Sequence, residues 1–140
     1  MTTLLIVEDD ALIREMMDIT LSQAGYGIVT AGSGSSALDV LRRLRVDLVL
    51  LDVHMPKMSG LDVLAAMRRM GAVMPPVLMV TANRSAETVQ EAMRLGCVGY
   101  VAKPFSPNDL LSRVQRVLKP VVPVPSARRA SAAEASVLEI

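Results

Sequence analysis

The chain has no tryptophan, one phenylalanine and two tyrosines. Without large rings, a core in 140 residues must come from aliphatic side chains, and Val, Leu, Ile, Ala and ten Met supply them, with Met filling irregular gaps. That composition suits a sheet covered by helices, and the length suits one domain with a sizeable core. The single cysteine, Cys97 in "RLGCVGY", excludes an internal disulfide and reads as a small buried hydrophobe rather than a nucleophile. A reducing cytosol is its natural setting. Neither charge sign dominates: 15 basic against 14 acidic residues leave a net charge of +1, with no basic stripe to attract nucleic acid or an anionic membrane. No stretch approaches the roughly 18 apolar residues of a membrane span. The start, "MTTLLIVEDD", lacks the basic region of a secretory signal, and acids cut its apolar run short. The expected protein is soluble and cytoplasmic.

What is present is an alternation of short apolar runs with longer segments of helical period, the signature of β-α units and a mostly parallel sheet. Five strands are expected at about residues 4–7, 27–31, 47–51, 77–81 and 99–101, and five helices at about 11–24, 35–45, 60–70, 85–95 and 107–118. The run "DLVLLD" is apolar without alternation, as expected of a strand covered on both faces. The last helix is the best punctuated. Ser106 and Asp109 form a capping-box pattern around Pro107, and Leu110, Leu111, Val114, Val117 and Leu118 make one stripe, with Arg113, Gln115, Arg116 and Lys119 on the wet face. Gly25 and Gly96 stand where left-handed caps end helices. Beyond residue 119, three prolines within six residues and an Ala/Ser-rich remainder argue for a tail at 120–140 rather than a second domain. Arg128 and Arg129 read there as a solvated pair.

The first strand ends in Glu8, Asp9 and Asp10. Two unit charges about 4 Å apart repel by roughly 4 kcal/mol at an effective dielectric near 20, so such a cluster needs water or a cation. Ligand chemistry in open parallel α/β sheets gathers beyond the carboxyl ends of the strands. There the third strand contributes Asp52, the fourth Thr81, and the fifth is followed by Lys103 in "YVAKPF". If the first, third, fourth and fifth strands are neighbours, these groups converge on one cleft. Oxygen-only ligands suit Mg²⁺. Asp52 would be a nucleophile toward a phosphoryl group, with Lys103, Thr81 and Mg²⁺ stabilising charge on its oxygens. Taken alone, each residue is more simply a solvated loop residue or a cap; their joint placement is the argument.

The motifs "LLIVEDD", "LVLLDVHMPKMSG", "VLMVTA" and "GYVAKPF", in this order and at these intervals, resemble the receiver domain of bacterial two-component response regulators over about residues 3–118. The resemblance implies a doubly wound, flavodoxin-like sheet of five parallel strands in the order 2-1-3-4-5 with five helices, and a stand-alone receiver at 1–119 without an output domain. By this likeness Asp52 is the phosphoacceptor. Glu8 and Asp9 are the acidic pair, Asp9 binding Mg²⁺ directly and Glu8 through water, and the backbone carbonyl of His54 completes the metal site. Thr81 and Lys103 hold the phosphoryl group, while Thr81 and Tyr100 form the switch. Asp10, outside the pair, would cap the first helix. Lys103-Pro104 matches a cis peptide bond, and Pro56 and Gly60 match the loop after the phosphorylated strand. The His54 side chain would face solvent, and with Asn83 it would flank the site and tune access of water. The implied partners are a histidine kinase or histidine phosphotransfer protein and a downstream protein at the face of helix 4, strand 5 and helix 5, with Glu87, Glu91, Arg94, Arg113 and Arg116. No nucleic acid or membrane is implied, and the protein would be a monomer or weak homodimer. It would be a switch more than an enzyme, with slow autodephosphorylation. Cys97 and Val98, and "GSGSSA" at the second helix, depart from the commonest pattern and bear on partners rather than chemistry.

Four rival readings meet specific residues. Gly32, Gly34 and Ala37 fit G-x-G-x-x-A between a strand and a helix, with Asp52 about twenty residues on, as in dinucleotide-binding folds. That reading leaves Glu8, Asp9 and Lys103 unexplained. A flavodoxin-like electron carrier would place a flavin phosphate at "EDDA", where carboxylates repel it. A haloacid-dehalogenase-like phosphatase would want an acid where His54 stands. A receiver-like interaction module that works without phosphate does not need the full set of acids, Thr and Lys.

Overall fold

In the computed structural model, residues 1–71, 74–82 and 85–118 are described. Asn83, Lys119 and the tail at 120–140 lie outside the described residues. Five strands alternate with five helices: β1 (Thr3–Val7), α1 (Ala11–Gln23), β2 (Gly27–Ala31), α2 (Gly34–Arg43), β3 (Leu48–Leu51), α3 (Gly60–Arg69), β4 (Val77–Thr81), α4 (Ala86–Arg94), β5 (Gly99–Ala102) and α5 (Pro107–Leu118). All pairs are parallel, and the sheet order is β2-β1-β3-β4-β5. This is the expected doubly wound α/β fold. The central strands bury every residue of "LVLL" and "VLMVT" because helices cover both faces.

One apolar layer, on the side of α2, α3 and α4, joins Leu5, Val7, Val49, Leu51 and Met79 to Val63, Leu64, Met67 and Ala92. The other, on the side of α1 and α5, joins Leu4, Ile6, Leu48, Leu50 and Val80 to Met17, Leu21, Leu110 and Val114. Alternate residues of each strand go to opposite layers, as the period of two requires. The α5 stripe is the expected one, with Leu111, Val117 and Leu118 packed beside Leu110 and Val114.

The helix ends follow local chemistry. Asp10 accepts hydrogen bonds from the amides of Leu12 and Ile13 at 2.9 and 3.1 Å and caps α1 as expected. Ser106 and Asp109 close the anticipated box at α5, and Ser59 with Asp62 makes a second one at α3 that the sequence reading passed over. Gly25 and Gly96 sit at φ 101° and 91° in the left-handed region. Several boundaries shift by one or two residues from expectation, and two of the shifts have a clear cause. Leu44 is already extended, so α2 stops at Arg43 and lets Val46 turn under it into the core. Asp47 stays outside the β3 ladder because its amide and carboxylate both bond the Thr3 backbone, at 2.7 and 2.8 Å.

Candidate functional site

The strand order brings together residues far apart in the chain. Val7 pairs with Leu51 and Thr81 with Ala102, so the carboxyl ends of β1, β3, β4 and β5 stand level. The ladder continues one step past each end. Glu8 donates its amide to Ala31, Asp52 to Val7 and Lys103 to Thr81, at 3.1, 3.1 and 3.0 Å. These bonds aim Glu8, Asp52 and Lys103 into one shallow site.

Glu8 and Asp52 are 1% and 4% exposed, and Thr81 is fully buried. The Lys103 ammonium lies 2.6 Å from Glu8 Oε1 and 3.3 Å from Asp52 Oδ2, so it bridges both carboxylates. Burial alone would lower the Lys103 pKa; the hydrogen bond to Glu8 and the charge of Asp52 outweigh it and raise the ammonium above its usual range. Burial pushes the Glu8 carboxyl up, against the opposing bonds from Lys103 and the Asp10 amide. The charge of Asp52 also pushes Glu8 up, so these acids repel one another, and one lysine offsets part of that repulsion.

Asp9 is exposed, and one carboxylate oxygen from each of Glu8, Asp9 and Asp52 lies within 4.8 Å of the others. Three carboxylates are hard oxygen donors, and the ammonium engages only Glu8 and Asp52. The donor set thus fits a cation of the Mg²⁺ kind, which takes few protein carboxylates and keeps its waters. His54 follows two residues after Asp52, with its side chain exposed and its amide 3.4 Å from Asp52 Oδ1.

The loop after β3 is held against the site by a close backbone approach. Gly60 donates its amide to the Val53 carbonyl at 2.8 Å, and a Cβ there would stand 2.1 Å from the Asp52 carbonyl oxygen. Only glycine fits. Lys57 in the same loop adopts φ 71°, a costly conformation for a side-chain-bearing residue that is confined to this stretch among the described residues. The Lys103-Pro104 bond is cis, as expected.

Tyr100, on the edge strand β5, packs half-buried against the layer of Met79, Ala92 and Cys97, and its carbonyl accepts a 2.7 Å bond from Arg113 of α5. Cys97 is buried, and burial raises its thiol above the usual range. The glycines of the dinucleotide-like pattern have packing roles instead. Gly34 admits Met58 and Val63, which a Cβ would meet at 2.8 Å, and Ala37 is fully buried between α2 and the sheet.

One neighbour of the acids escaped the sequence reading. Arg14, in α1, places Nη1 2.8 Å from the Glu8 carbonyl and 3.5 Å from that of Asp9. Helical side chains lean toward the N-terminus, so a cation four residues after the cap was the available signal. Among the described residues no helix is long and apolar enough to cross a membrane.

A family model for the response regulator receiver domain matches residues 4–115. The probable transcriptional regulatory protein TcrX of Mycobacterium tuberculosis is 41% identical over 117 residues, which cover 84% of this chain and 50% of that protein. The chain thus spans about half the length of the curated relatives it matches. Among solved structures, the chemotaxis protein CheY4 of Vibrio cholerae is 39% identical with a TM-score of 0.79, covering 84% of this chain and 99% of that one. The response regulator TrrA of Thermotoga maritima, solved in complex with Mg²⁺-BeF, is 31% identical with a TM-score of 0.75, covering 84% and 100%. With its sheet order and its acidic site, the chain belongs to the response regulator receiver domain family of two-component systems.

Proposed function

We propose that this receiver accepts a phosphoryl group on Asp52 from the phosphohistidine of a histidine kinase or histidine phosphotransfer protein, in a Mg²⁺-dependent reaction, and signals by rearranging its α4–β5–α5 face. The observation that carries the reading is the bridged pair: a nearly buried Asp52 shares one lysine with Glu8, while Asp9 lies open beside them. An Asp52 oxygen attacks phosphorus as the bond to the imidazole nitrogen breaks and its electron pair passes to that nitrogen, leaving an acyl phosphate and, from a donor protonated at the other ring nitrogen, a neutral imidazole. Lys103 lies 3.3 Å from Asp52 and is kept charged by Glu8, so it can follow the transferred oxygens without leaving the site. Asp9 with Asp52, Glu8 through water and the His54 carbonyl would hold Mg²⁺, which supplies neutralisation of the phosphoryl charge when bound. Support for that cation comes from the three-carboxylate donor set and from the Mg²⁺-BeF complex of the TrrA relative.

Thr81, at the end of β4, donates its hydroxyl to the phosphoryl group, and Tyr100 on the neighbouring strand takes up the vacated space. The reader is a downstream protein that distinguishes the two arrangements, since equal affinity for both shifts nothing. Turnover is a slow self-hydrolysis, with His54 beside the acyl phosphate. Incubation with acetyl phosphate and Mg²⁺ tests the reading by intact mass. One acid-stable, base-labile phosphoryl is expected, absent in Asp52→Ala; no gain, or a gain that survives the substitution, overturns it.

A further inference from the structure

We infer that Arg14 is a positioning residue for the acidic pair: it clamps the β1–α1 turn through the turn's carbonyls and so sets how Asp9 is offered to the cation. The inference rests on the proposed Mg²⁺-dependent reading. Glu8 and Asp9 owe their placement to backbone bonds. The Glu8 amide is taken by Ala31, the Asp10 amide by Glu8 Oε2 at 3.1 Å, and the Asp10 carbonyl by the Arg14 amide at 2.9 Å. The carbonyls of Glu8 and Asp9 take no part in these bonds, and the Arg14 guanidinium reaches both, at 2.8 and 3.5 Å. A charged donor makes the stronger kind of hydrogen bond.

On its other side the guanidinium rests on Gly32, just past β2, where a Cβ would stand 3.3 Å from Nη1 and 3.9 Å from Cζ. Arg14 is therefore a wedge between the turns that follow β1 and β2, and the missing side chain at residue 32 gives it room. Asp9 is exposed, so its direction follows from the backbone that carries it.

The sign of one measurement separates positioning from plain charge. A cation near three carboxylates repels Mg²⁺, so if Arg14 acted only through its charge, Arg14→Gln would tighten Mg²⁺ binding and Arg14→Lys would leave it unchanged. Positioning predicts the reverse. By calorimetric titration, Arg14→Gln should weaken Mg²⁺ binding about tenfold, the usual loss when a group that orients a ligand is removed. Arg14→Lys, which reaches one carbonyl at most, should fall between. Half-saturating Mg²⁺ for phosphorylation by acetyl phosphate should rise by the same factor, with a smaller change in rate at saturation.

Gly32→Val supplies a second test that leaves the charge in place. It should weaken Mg²⁺ binding in the wild type and have no effect on top of Arg14→Gln, since the wedge is then already gone. Amide exchange of Asp10 without metal should accelerate in Arg14→Gln. Unchanged or tighter Mg²⁺ binding, or additive effects of the two substitutions, overturns the inference. A wild type that binds no Mg²⁺ overturns the proposed function instead, and the Asp10 exchange rate then decides the clamp: unchanged exchange in Arg14→Gln rejects it.

Discussion

Helices α3 and α4 follow the strands that end at Asp52 and Thr81, yet the fold holds them very differently. Helix α3 follows the Asp52 loop, buries Gly60, Val63, Leu64 and Met67, and starts in a complete capping box. Helix α4 follows Thr81 and buries only Ala92, and its Met93 is 58% exposed. Its Glu91–Arg94 pair is on the surface, where such pairs contribute little. Elements with few buried contacts open at low cost, whereas well-packed ones open only with the whole domain. The site is thus set between a rigid wall, on which Asp52 sits, and a loosely held one adjoining Thr81 and Tyr100. The proposed switch would need both: fixed geometry for chemistry and a neighbour free to take a second arrangement.

The largest test of this contrast removes apolar bulk from each helix. Leu64→Ala, at a fully buried site of α3, should cost about 4 kcal/mol, and Val89→Ala, half-buried on α4, about 1 kcal/mol. Urea unfolding of both variants measures this, and similar losses would break the comparison.

Next in size is Lys103→Met, which strips the cation from two buried carboxylates and should cost about 3 kcal/mol at pH 7. The Glu8 carboxyl is already raised above its ordinary 4.5 by burial, so its contribution to stability falls as pH rises from 4.5 through the folded value. Without the opposing bond from Lys103 that window extends upward. The deficit of the variant should therefore be smallest well below pH 4.5, where Glu8 is protonated in both states, and grow toward pH 7. Lys103 does not confuse the comparison, because its raised pKa keeps its contribution complete below 10.5. A deficit independent of pH would show that the site does not couple the two residues.

Thr81→Ala probes the loosely held wall directly. It should leave Asp52 phosphorylatable but abolish phosphorylation-dependent changes of amide exchange in α4, β5 and α5. The coupling lost is about 1 to 3 kcal/mol, read as about 5- to 150-fold in affinity for a downstream protein. The wild-type exchange pattern in the variant would send the signal by another route.

The smallest effect concerns Cys97, in the turn after α4. Burial raises its thiol above the ordinary 9.0, so iodoacetamide at pH 8 should react far more slowly than with the unfolded chain. Val89→Ala should accelerate the reaction by easing local opening of α4. Equal rates in wild type and variant would mean that α4 opens only on global unfolding.

Local rules made most of this molecule legible before any coordinate. The non-alternating run "DLVLLD" dictates a strand covered on both sides, because its four apolar residues leave neither face for water, and caps such as Asp10 and Ser106 mark helix starts through the amides they satisfy. The type and order of the chemical groups were also in the sequence, since a strand of known direction places Glu8, Asp52, Thr81 and Lys103 at carboxyl ends. Periodicity carries no information about which strands are neighbours, so contact between Lys103 and Glu8 across 95 positions belongs to the tertiary structure. The same holds for the Gly60 approach to Asp52, for Arg14 against two carbonyls and Gly32, and for the unequal burial of α3 and α4. Each depends on where a second segment lies in space, and a side chain's neighbours across the fold are set by packing rather than by its own stretch of chain.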